Sequence, residues 1–434
     1  MERVLAVMVV LALTGCAVPT STSVTIPTYS PVREALSYFP ATAPVVAVVR
    51  TDPQDPGLRR LAGSGAFAPL RRAAAGRGLH YAQLSRLLGN PAVIGQPRVG
   101  GTPLAVLATA DSDRLEVLAA ARVATGSATP AGGYRGADLY AEDGWAFAVR
   151  DRVLLASGST RDLLNALDTR VSDDGFDASQ LNDVIPGASP PATFARAYVD
   201  LEALVAGAAA PVRDVPVLDA LTKAGVSLGA TAEELRAVLE ADTAQTGLAN
   251  EDLPALEGVG GRRPAVPAGE TALAVADLAP LAAAAERALR AALPVSALRL
   301  DAVRSRLRGA GVALTPELLA GPAVITDAPA LRLLPARPAL VREALARAAR
   351  RLKFKRNSGF YMTRGVRLGF VDGAFVTGRA PARALKRLAR LPLAPLRSPV
   401  LLRLPRLHDA YPRPVVFTLG GSPERLTVSA FSGF

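Results

Sequence analysis

The sequence predicts an α+β protein of two tandem homologous domains, each a mainly antiparallel sheet with helices packed on one face. Three observations carry that expectation. Segments recur in the same order along the chain, hairpin signals alternate with helical ones inside each copy, and half of the 434 residues are hydrophobic, enough for two cores.

The duplication comes first, because a repeat missed misassigns the whole fold. "LLGNPAVI" at Leu87 to Ile94 recurs as "LLAGPAVI" at Leu318 to Ile325. "APVVAVVRTD", ending at Asp52, answers to "ETALAVAD", ending at Asp277. "FAVRDRVLLASGSTRDLLNAL" from Phe147 answers to "LGFVDGAFVTGRAPARALKRL" from Leu368, and "LGATAEELRAVL" from Leu228 to "LGGSPERLTVSA" from Leu419. The first copy is the longer, with its extra residues mainly between about Asp168 and Val226. The chain thus divides into a leader at 1–15, a flexible tether at 16–34, a first repeat at 35–247, a linker at 248–265 and a second, basic repeat at 266–434.

Within the first copy, Val45 to Val49 is a β-branched run that reads as a strand, and Asp52 with its neighbouring prolines reads as a helix start. Leu104 to Thr109 is a second strand and Ser112 to Arg122 a helix. "ADLYAEDGWAFAVRDRVLLASG" reads as three strands joined by tight turns, and Asp372-Gly373 marks the matching hairpin in the second copy. Ser159 to Asp162 form a capping box that opens a helix through Leu167, with Pro381 as a first-turn proline at the matching place. Each copy closes with a hairpin, Gly225 to Ala241 and Val415 to Phe431. Asp52, Asp200 and Asp277 each follow a strand and read as N-caps. Trp145 and the tyrosines read as core.

At the N-terminus a single Arg3 precedes ten apolar residues, Val4 to Leu13, which is the layout of a secretory signal and too short to span a bilayer. The next residues, Leu13-Thr14-Gly15-Cys16, are similar to a bacterial lipobox, and that similarity implies lipidation of the Cys16 sulfur. The competing reading makes Cys16 a small buried hydrophobe. Cys16 is the chain's one cysteine, so the folded part has neither a disulfide nor a thiolate metal site. The Ser-, Thr- and Pro-rich stretch behind it reads as a tether. An extracytoplasmic lipoprotein of the cell envelope, held to a membrane by palmitate or a similar acyl group, is the expected address.

With those residues in view, the chain resembles an uncharacterised family of secreted or lipid-anchored proteins of high-GC bacteria. Their duplicated domain opens with a segment of the type Tyr-Leu-Pro-Ala-Asp-x-Pro ahead of a valine-rich strand and an aspartate. Here "YFPATAPVVAVVRTD", Tyr38 to Asp52, has Phe39 for the leucine and Thr42 for the aspartate. The resemblance implies an envelope location and this fold plan, and assigns no site residues.

Charge is uneven. Residues 35–247 carry 19 basic against 23 acidic side chains, and residues 266–434 carry 27 against 10. "LVREALARAARRLKFKR", Leu340 to Arg356, reads as a basic amphipathic helix with an apolar stripe of Val341, Leu345, Ala348 and Leu352. Its cations are Arg342, Arg347, Arg350, Arg351, Lys353, Lys355 and Arg356. They form either the solvated face of an ordinary helix or a patch for an anionic surface. Outside the cytoplasm that surface is lipid or wall polymer rather than nucleic acid.

Chemistry is hard to nominate. The two histidines, His80 and His408, stand without partners at metal-ligand spacing, and no nucleophile-elbow, zinc-helix or phosphate-loop motif occurs. "SDDGFDAS", Ser172 to Ser179, lacks the alternating spacing of a calcium loop and reads as a solvated turn. "LAPLAAAAERALRAALP" is broken by Glu286, Arg287 and Arg290, so it reads as a soluble amphipathic helix. The expected function is non-catalytic binding of a protein, anionic lipid or wall polymer of the envelope, with no cofactor and no nucleic acid. The alternative is a carrier or sensor of a hydrophobic or anionic small ligand, held in a domain or in the cleft between copies.

Overall fold

The computed structural model describes residues 30–52, 54–63, 87, 89–109, 111–142, 144–187, 189–209, 213, 215–231, 233–244, 262–267, 269–395, 398–406 and 413–433. Cys16, the tether ahead of residue 30, His80, His408 and residues 245–261 of the linker lie outside them.

The first repeat runs α1 (Pro31–Leu36), β1 (Val45–Val49), α2 (Pro56–Gly63), β2 (Ala92–Gln96), β3 (Leu104–Ala108), α3 (Ser112–Ala124), β4 (Thr129–Tyr134), β5 (Ala137–Glu142), β6 (Trp145–Arg150), β7 (Val153–Ser157), α4 (Thr160–Ser172), α5 (Ala178–Asp183), β8 (Thr193–Asp200), α6 (Leu201–Ala206), α7 (Pro216–Asp219), β9 (Leu221–Ala230) and β10 (Glu234–Thr243). The structured chain begins inside the segment expected to be tether, because Ser30 accepts from the Arg33 N–H and Pro31 presets the first turn of α1. Asp55, not Asp52, caps α2. Its Oδ1 accepts from the Gly57 and Leu58 N–H groups at 2.9 and 3.1 Å, whereas Asp52 closes a turn on Gln54. The helix starts only at Pro56, which places Asp52 too early to reach its open N–H groups.

The second repeat runs β11 (Arg262–Pro264), β12 (Ala272–Val275), α8 (Leu278–Ala292), α9 (Pro294–Gly309), α10 (Pro316–Leu319), β13 (Ala323–Thr326), β14 (Ala330–Leu333), α11 (Pro338–Arg351), β15 (Lys355–Asn357), β16 (Phe360–Thr363), β17 (Val366–Val371), β18 (Ala374–Gly378), α12 (Ala382–Ala389), β19 (Leu393–Pro395), β20 (Val400–Leu404), β21 (Val415–Ser422) and β22 (Arg425–Gly433). Strand β11 falls inside the expected linker; it pairs with β19, more than a hundred residues away, so no local signal marks it. Asp200 and Asp277 cap α6 and α8 as the sequence predicts.

Among the described residues, all strands but β11 and β19 join one antiparallel sheet of twenty. Its spatial order is β4-β5-β6-β7-β3-β2-β1-β8-β9-β10, then β22-β21-β20-β12-β13-β14-β18-β17-β16-β15. The second series repeats the first in mirror order of position, so the two copies meet edge to edge through their closing hairpins. Val238 and Ser429 hold equivalent places in those hairpins and lie directly opposite each other, which puts a pseudo-two-fold axis between them.

Helices cover both faces of each copy rather than the one expected. In β3, Leu104 and Val106 pack with Leu36 of α1 and Leu163 and Leu167 of α4, while Ala105 and Leu107 pack with Leu115 of α3 on the opposite side. In the second copy α12 covers one face and α8, α10 and α11 the other. The physical reason is that strands such as "LAVLA" are apolar at both parities, and each face then needs cover. The first copy's extra residues supply part of that cover. Gly225 of β9 admits the backbone of residue 184, for a Cβ there would lie 1.5 Å from the Val184 carbonyl oxygen.

Candidate functional site

The basic stretch folds in two parts. Helix α11 ends at Arg351, and Lys353 takes a left-handed conformation with φ of 52°, so Lys353, Lys355 and Arg356 leave the helix on which they were expected. Val341 and Ala348 are buried as the stripe requires, but Leu352 sits at the C-cap, 42% exposed, because the chain turns there toward β15. Two cations have internal work. The Arg342 guanidinium lies 5.0 Å from the centre of the Phe370 ring, and Arg347 donates to Glu343 and, at 3.0 Å, to the Gly311 carbonyl. Arg350, Arg351, Lys353, Lys355 and Arg356 are exposed, and none pairs with a carboxylate among the described residues.

The Gly311 contact brings the end of α9 beside this cluster. Helix α9 packs inward through Ala297, yet Val295 and Leu298 are each 68% exposed and Val303 50% exposed. Ala302 completes the outward face, and Arg299, Arg306 and Arg308 are exposed beside it. The sequence reading missed this feature. Its signal was the spacing of Val295, Leu298 and Ala302 within "PVSALRLDAVRSRLRG", which describes a second apolar face opposite Ala297.

Among the described residues the most deeply buried carboxylate belongs to a network that holds the fold. Asp162 of α4 is 2% exposed. Its Oδ2 accepts from the Thr102 N–H at 3.0 Å and the Thr102 hydroxyl at 2.6 Å, and its Oδ1 accepts from Arg98 Nη2 at 2.8 Å. Burial pushes this carboxyl up, but the Thr102 and Arg98 donors outweigh it and hold it below its ordinary value. A carboxyl lowered in the folded state contributes stability above its unfolded value and loses it as the pH falls through the folded one. Asp162→Ala is therefore expected to cost about 2 kcal/mol at neutral pH by leaving the Thr102 N–H unpaired, and to flatten the loss of stability below about pH 4, read by calorimetry across pH.

The acidic segment from Ser172 to Ser179 keeps its three carboxylates exposed, as a solvated turn does, and is anchored at its middle. Gly175 bridges Pro40, Phe176 stacks edge-on against Tyr198 at 5.3 Å, and Asp177 caps α5. Among the described residues no group of histidine, cysteine, aspartate and glutamate could hold a metal ion. No described helix is long and apolar enough to cross a membrane.

No family model matches the chain, and no curated protein matches it. Solved structures similar to it include three crystal forms of TP0453. Form IV is 10% identical, covers 48% of this chain and 80% of that one, and has a TM-score of 0.34. Form III is 8% identical, covers 51% and 83%, and has a TM-score of 0.33. Form I is 10% identical, covers 51% and 82%, and has a TM-score of 0.32. Likenesses this remote define no class of protein.

Proposed function

We propose that this is a lipid-anchored extracytoplasmic protein of the cell envelope, tethered through Cys16, that acts without catalysis by seating its second repeat on an anionic lipid surface. The observation that supports it best is the outward face of α9, where Val295, Leu298 and Val303 stand exposed alongside Arg299 and Arg306. A helix with exposed apolar side chains flanked by arginine suits the boundary between headgroups and acyl chains. The five free cations at the end of α11 and in β15 extend the positive rim, and the excess of 27 basic over 10 acidic residues in 266–434 gives the repeat a matching field. Each cation near an anionic leaflet contributes about 1 kcal/mol.

Vesicle co-sedimentation of residues 17–434 tests this. Binding to vesicles containing phosphatidylglycerol is expected to exceed binding to neutral ones and to weaken with salt. Combined Arg350→Glu, Arg351→Glu and Lys353→Glu substitution should weaken it about 100-fold or more, since three contributions of about 1 kcal/mol are lost. Val295→Ser with Leu298→Ser should weaken it without altering the fold. Equal binding to both vesicle types, or binding indifferent to either set, would sink the proposal.

A further inference from the structure

The two repeats can be compared position by position. The shared "PAVI" segment aligns Val93 with Val324, and the strand registers then align their partners. Gly95 faces Leu104 in the first copy where Thr326 faces Ala330 in the second, and Val106 faces Val93 where Arg332 faces Val324. In the first copy these positions are filled with apolar groups. Leu104 and Val106 are fully buried, and the Phe39 ring lies over Gly95, 2.9 Å from where a Cβ would be.

The second copy has neither the ring nor the bulk. Where Phe39 and Leu104 pack in the first, a cavity of about 280 Å³ opens, with Thr326 and Ala330 on its floor and Leu385, Leu388 and Leu391 on its wall; Arg332, the counterpart of Val106, is not itself part of that lining. Arg332 stands on the same face of β14 as Ala330, one pleat along, and is only 4% exposed. Its Nε and Nη1 are buried and lack any acceptor. Arg403 continues the row of Ala330, Thr326 and Ala272 across the sheet, and its own buried Nε lacks an acceptor too. Glu270 and Arg387 also line the cavity, one acidic and one basic.

A hollow and an unpaired buried guanidinium are each costly, and the first repeat shows that the fold needs neither. Arginine does not escape by losing its proton. Burial alone pushes its pKa down, with no carboxylate to offset it. Features that cost stability while a relieved version exists in the same chain mark a functional site. We propose that the second repeat binds a small amphipathic carboxylate there, its apolar tail against Leu385, Leu388 and Leu391 and its carboxylate drawn to Arg332. The volume lies near the lower end of ligand pockets, about 300 Å³, which sets a short chain rather than a whole lipid. This site lies apart from the α9 surface and stands or falls without it.

Octanoate is the probe. Thermal unfolding and titration calorimetry of residues 17–434 should show octanoate raising the Tm and binding, with octanol at least tenfold weaker. Ala330→Leu, which restores the first repeat's residue, should abolish binding by filling the cavity. Arg332→Met should weaken octanoate at least tenfold while raising the Tm of the unliganded protein, so loss of binding cannot be confused with unfolding. No octanoate binding to the unaltered protein, equal affinity for octanol, or full octanoate affinity in Arg332→Met would each overturn the assignment.

Discussion

Ser429→Pro is expected to cost more than about 3 kcal/mol and to turn one unfolding transition into two. Ser429 lies in β22 between Val238 of β10 and Thr418 of β21, so its strand is central and paired on both sides. Proline there removes a ladder N–H and forces its ring against a neighbouring strand. The position matters because this ladder joins the repeats, with one apolar cluster of Leu221, Ala224, Val217 and Leu218 from the first and Leu419 and Leu426 from the second. With the ladder intact, the unaltered protein should melt as a unit, its calorimetric and van't Hoff enthalpies agreeing. A single, unshifted transition in Ser429→Pro would show that the continuous sheet is not what couples the halves. Ser429→Val, a good strand former, should leave the transition single.

Phe39→Ala should be the most destabilising core truncation of the first repeat, at about 3–5 kcal/mol by denaturant titration. The ring is wholly buried, and it covers Gly95, which has no side chain to relax into the gap. The hollow would resemble that of the second repeat but with Val106 in place of a guanidinium. It should therefore accept octanol in preference to octanoate, the reverse of the selectivity expected beneath α12. A loss below about 1 kcal/mol would mean that α1 settles onto β2 and β3, and that the ring is not what closes the first copy.

Much of this architecture was legible because it is local. The repeat appears in "LLGNPAVI" and "LLAGPAVI", and the caps at Ser159, Asp200 and Asp277 need only a short acceptor at the right step. The Asp372-Gly373 turn shows both residues at positive φ, 50° and 83°, as its sequence predicts. What stayed hidden is non-local. Nothing in either closing hairpin says that its outer edge will pair with the other copy. Arg332 sits in "ALRLLPA", where one arginine among leucines reads as an outward residue, and only its place opposite Val324 shows that it points into the core side. The basic stretch read as one helix because no glycine or asparagine stands at its end; Lys353 takes the left-handed conformation instead.

The sheet's two outermost strands have a further consequence. Among the described residues, strand β4 pairs only with β5 and carries Pro130 at an irregular register, and β15 pairs only with β16 and presents Lys355 and Arg356 over three exposed residues. Twenty strands with two unguarded rims would be a template for fibre growth from molecule to molecule. A proline at one rim and adjacent cations at the other oppose the docking of an incoming strand. Lys355 and Arg356 are therefore best kept when the basic patch is altered, since their loss would invite polymerisation that a sedimentation assay would register as membrane binding.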